Sequence, residues 1–73
     1  MTSSPDARKA GAERGATQKE MEAAIVMFEA AVFRGDPRGL NRATEAAHAA
    51  MQAHLDAVAA LYGVILRDIG NVP

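Results

Sequence analysis

The chain has 73 residues, with 8 Lys plus Arg against 9 Asp plus Glu, a net charge of −1 and no cysteine. That length holds one small domain. The missing cysteines exclude disulfides, thiolate metal sites and cysteine nucleophiles. The near-neutral charge gives no general electrostatic attraction to nucleic acid or an anionic membrane.

Residues 1–16 contain no large apolar side chain after Met1, and Gly11 and Gly15 weaken any helix there. This reads as a disordered tail, although Ser4-Pro5-Asp6 has the form of a helix start. Ser3, Ser4, Pro5 and Asp6 stand where a secretory signal would carry basic residues and then an apolar run, which sets the expectation of a cytoplasmic protein. The apolar stretch Ala23 to Phe33, interrupted by Glu29, is shorter than the ~20 residues that span a bilayer, so no membrane segment is expected from it.

Thr17-Gln18-Lys19-Glu20 has the spacing of a capping box, so the first helix is expected over about 18–34, in a hairpin domain covering 17–73. Gly35 suits the left-handed residue after that helix, Asp36 can cap the next, and Pro37 fits its first position. So tight a connection folds two helices back as an antiparallel hairpin. Met21, Ala24, Ile25, Phe28, Ala31 and Val32 make the main apolar face of the first helix. Val26 and Phe33 lie on a second side, flanked by Glu22 and Glu29, which calls for a second neighbour.

The second helix is expected over about 37–69, stopped by Gly70, Asn71 and Pro73. Leu40, Ala47, Met51, Leu55, Val58, Leu61, Tyr62, Ile65 and Ile69 form one broad stripe along it. At 1.5 Å per residue the two helices differ in length, roughly 27 Å against roughly 50 Å. Pairing outward from the turn sets Thr17 beside about His54 and leaves Leu55 to Ile69 without a partner in the chain. The expected fold is therefore all-α: a lopsided hairpin assembling as a homodimeric four-helix bundle. The expected interface is Val26, Phe33, Leu55, Val58, Leu61, Tyr62, Ile65, Leu66 and Ile69.

Chemistry is sparse. Glu45 and His48 sit three apart on a helix, a spacing that resembles the Glu-x-x-His ligands of ferritin-like di-iron proteins. The resemblance implies a dimer-interface metal site completed by Glu22 or Glu29. A solvated Glu/His surface accounts for the same four residues and is the preferred reading. His54, at the edge of the stripe, reads as a core or seam histidine whose charging would oppose burial. Arg34, Arg38 and Arg42 cluster at the turn without an aromatic companion, a weak basis for nucleic-acid binding.

The functional expectation is a non-enzymatic, cofactor-free, oligomeric interaction module that engages a larger protein. A metal-binding bundle is the alternative, and a nucleic-acid accessory role ranks third.

Overall fold

The computed structural model describes residues 4–70 as two helices, α1 (Pro5–Arg34) and α2 (Pro37–Gly70), packed as an antiparallel hairpin. Among the described residues there are no strands. The molecule is a rod of 57 × 15 × 12 Å with a radius of gyration of 16.5 Å. A compact 73-residue domain would have a radius of about 11 Å.

The turn follows from its residues. Gly35 takes the left-handed conformation (φ 67°, ψ 22°), and its N–H donates to the carbonyls of Ala31 and Val32 at 3.1 and 3.2 Å, closing the end of α1. Asp36 then starts α2: its side chain accepts from the Arg38 N–H at 3.2 Å and its carbonyl from the Leu40 N–H at 2.8 Å. Gly39 leaves room for that carboxylate, since a Cβ there would lie 3.1 Å from Asp36 Oδ2. Of the expected stop signals for α2, Asn71 and Pro73 lie outside the described residues.

Residues 5–16 depart from the expected disordered tail. They are helical, and α1 begins at Pro5, where the Ser4 hydroxyl accepts from the Ala7 N–H at 3.1 Å. Thr17 is consequently not a cap. It sits inside α1, with its hydroxyl 3.0 and 3.1 Å from the carbonyls of Glu13 and Arg14. The extension needs no large side chains because it lies on α2 through small ones, and Ala10 is one of four buried apolar residues among those described, all alanine. Its far end is clasped by Ser4 Oγ donating to Asp68 at 2.8 Å and Arg67 donating to Asp6 at 3.0 Å. That hydrogen bond pushes the Arg67 guanidinium further above its ordinary pKa, so it stays charged. The hairpin is thus nearly symmetric in length, and Leu55 to Ile69 do have α1 beside them.

The face that α2 turns to α1 is a strict alternation of three and four residues: Leu40, Ala43, Ala47, Ala50, His54, Ala57, Leu61, Val64 and Asp68 are each buried or half-buried. On α1 the matching line runs through Ala7, Ala10, Thr17, Met21, Ala24, Phe28 and Ala31. Alanine at so many of these positions lets the backbones approach closely and leaves little depth for a core. Among the described residues no large side chain is fully buried.

His54 lies on this inner line, half-buried, with Nδ1 3.1 Å from the Thr17 hydroxyl. Thr17 has one proton to donate. When it goes to a backbone carbonyl, the imidazole N–H donates to Thr17; otherwise Thr17 donates to the imidazole. The contact is the one side-chain hydrogen bond between helices in the middle of the described hairpin and fixes their register at that level.

Candidate interaction surface

Rotating α2 by about 100° from the inner line uncovers a second line with the same three–four spacing: Met51, Leu55, Val58, Tyr62, Ile65 and Ile69. All six are exposed, and they fall into two ranks. Val58, Ile65 and Met51, next to the inner line, are 37, 41 and 43% exposed; Leu55, Ile69 and Tyr62, one step further out, are 60, 63 and 64% exposed. Leu66 flanks them at 53%. These seven side chains, with no charge among them, make the largest continuous apolar strip on the described surface.

The strip stops abruptly. Continued toward the turn, the same positions hold His48, Thr44 and Asn41, with Glu45 beside them. Across the hairpin, the α1 segment at the height of the strip is 5–20, which contains no large apolar residue. A smaller apolar patch caps the other end. Val32 lies on the same face near the turn, Val26 and Phe33 continue around the back of α1, and Phe33 is 91% exposed. Met27 is exposed on the opposite face.

Among the residues expected at an interface, Val26, Phe33, Leu55, Val58, Tyr62, Ile65, Leu66 and Ile69 are exposed, whereas Leu61 turns inward and is half-buried against α1. Sequence reasoning merged two lines into one stripe, because residues 100° apart on a helix both fit a broad apolar face. The signal that separates them is side-chain size: four of the nine inner positions are alanine, and none of the six outer ones is.

The metal candidates are not gathered. Glu22, Glu29, Glu45 and His48 are all exposed, Glu22 accepts a hydrogen bond from Gln18 at 3.2 Å, and among the described residues no group of three or more acidic or imidazole side chains is placed to hold a metal ion. Arg34, Arg38 and Arg42 are exposed at the turn end. On the face opposite the strip, Glu13, Ala16, Thr17, Ala53, Asp56, Ala57 and Ala60 line a shallow trough.

By length and composition α2 is also able to cross a membrane, its best 18-residue window reaching a mean hydropathy of 1.4. The expectation of no membrane segment was drawn from Ala23–Phe33; in α2, Gln52, His54 and Asp56 interrupt the apolar run without bringing its mean hydropathy down. Set against protein-family models, curated proteins and solved structures, the chain matches none.

Proposed function

We propose that the protein is a small, non-enzymatic helical interaction module that works as a homodimer, the outer strip of each α2 being covered by the other copy in a four-helix bundle. The observation that carries this is the strip itself: seven large apolar side chains exposed along one side of α2, while the buried apolar residues among those described are all alanine. The surface area points the same way. The chain exposes 5670 Å², where a compact monomer of 7.7 kDa would expose about 4,300 Å². The excess of about 1,300 Å² is larger than the ~800 Å² each partner contributes to a standard interface. A hairpin this thin has too little core to stand alone, and association supplies the missing depth.

Sedimentation or light scattering at micromolar concentration tests the reading. The expected result is a dimer whose helicity falls on dilution. A fully helical monomer would overturn it, as would a chain that self-associates not at all in buffer but binds uncharged lipid vesicles through α2. Elemental analysis after supplementation with iron, manganese and zinc is expected to find no stoichiometric metal.

A further inference from the structure

We infer that the second copy packs with its α2 antiparallel to the first, about a two-fold axis level with Ala60 and perpendicular to the helices, so that only the terminal halves of the two hairpins overlap. The inference rests on the homodimer proposed above and specifies its geometry.

Three observations lead to it. First, the strip belongs to α2 alone. At its height α1 offers only residues 5–20, which carry Asp6, Arg8, Lys9, Glu13, Arg14, Lys19 and Glu20 and no large apolar group. Two hairpins facing each other about an axis parallel to their length, with each α2 lying over the partner's α1, would set the strip on that polar segment. Second, the strip is its own complement when reversed. Reflecting the numbering about 60 pairs Met51 with Ile69, Leu55 with Ile65 and Val58 with Tyr62. In each pair a side chain of the 37–43% rank meets one of the 60–64% rank. Antiparallel helices interdigitate in this way, each layer combining one residue of each kind. Third, the strip ends where such an overlap would end. Beyond Met51 the same line turns polar at His48, Thr44 and Asn41, so the pair Met51–Ile69 is the last apolar layer at each end of the overlap. A parallel pairing of the two α2 helices would bury the strip too. It would set His48 against its own copy and align the two helix dipoles side by side.

The pairing leaves the turn ends, with Val26, Val32 and Phe33, projecting from both ends of a rod longer than either hairpin. It also separates the roles of α2's two lines: the inner line closes the hairpin and the outer line closes the dimer.

Spin labels on single cysteines at Gln52, Glu45 and Arg38, all exposed on the back of α2, read the geometry directly by dipolar spectroscopy. In the antiparallel pair the two labels of a dimer separate by about 3 Å for each residue's distance from 60, or roughly 24, 45 and 66 Å along the axis. Light scattering and circular dichroism on each labelled variant establish mass and helicity beside the distance. The expected result is a dimer in which the distance grows by about 21 Å at each step of seven residues. A dimer with one short distance at all three sites would overturn the antiparallel register while leaving the homodimer intact. A folded, monomeric chain with no dipolar coupling would overturn both.

Discussion

The two apolar lines of α2 are built from the same helix, with the same spacing, and differ in the size of their side chains. On the inner line Ala43, Ala47, Ala50 and Ala57 let α1 come close, and Ala47 and Ala57 are buried. On the outer line Met51, Leu55, Val58, Tyr62, Ile65 and Ile69 stay exposed although they are the better hydrophobes. Small residues minimise the gap between two backbones, while large ones need a neighbour that surrounds them. One hairpin provides the first situation and not the second. The inner line therefore closes the hairpin, and the outer line stays exposed, where the proposed dimer would cover it.

Each of the following changes breaks or sharpens that division, and the largest effect is expected where a charge enters the outer line. Val58→Asp with Ile65→Asp would place two unpaired carboxylates in the proposed dimer seam and cost several kcal/mol of association. Light scattering should then show monomer, and circular dichroism a large loss of helicity. Removal of Met1 to Ala16 comes next. It strips α1 from Ala57, Leu61 and Val64 and removes the clasp to Asp68 and Arg67. Its melting temperature should fall by roughly 10 °C, at about 4–8 °C per kcal/mol for a domain of this size. An unchanged melt would mean that residues 5–16 add nothing to the hairpin.

Ala57→Leu tests the inner line by overpacking it. The added bulk forces the helices apart at about 1–3 kcal/mol, read as a shift in chemical denaturation. The same substitution at Ala59, on the exposed back of α2, should cost less than half as much. Ser4→Ala removes the cap that starts α1 and should cost about 1 kcal/mol, seen first as faster amide exchange over residues 5–10. The smallest effect is expected at Glu45→Gln with His48→Ala, which should change stability by no more than about 0.5 kcal/mol because both groups are solvated. Loss of a metal-dependent rise in melting temperature in that double variant would instead revive the ligand reading of Glu22, Glu29, Glu45 and His48.

Much of the hairpin is local and was legible. Gly35, Asp36 and Pro37 specify a left-handed stop, a cap and a restart within three residues, and each does so through its own backbone preference. The pairing of Thr17 with His54 follows from counting outward along two helices of equal rise, and the two side chains meet at 3.1 Å. Sequence spacing therefore determined two helices, their turn and their register.

Two matters were decided only in three dimensions. Residues 5–16 carry no apolar face of their own, so by themselves they have no reason to persist as helix; they do so because α2 presents alanines and Leu61 for Ala7, Ala10 and their neighbours to lie against. The choice of which α2 line meets α1 was the second. Periodicity places both lines on one broad stripe, and transfer energies alone would put Leu55, Tyr62 and Ile69 inside. Packing reverses that order, because two helices in contact along their whole length gain most from the closest approach, and only the alanine line allows it.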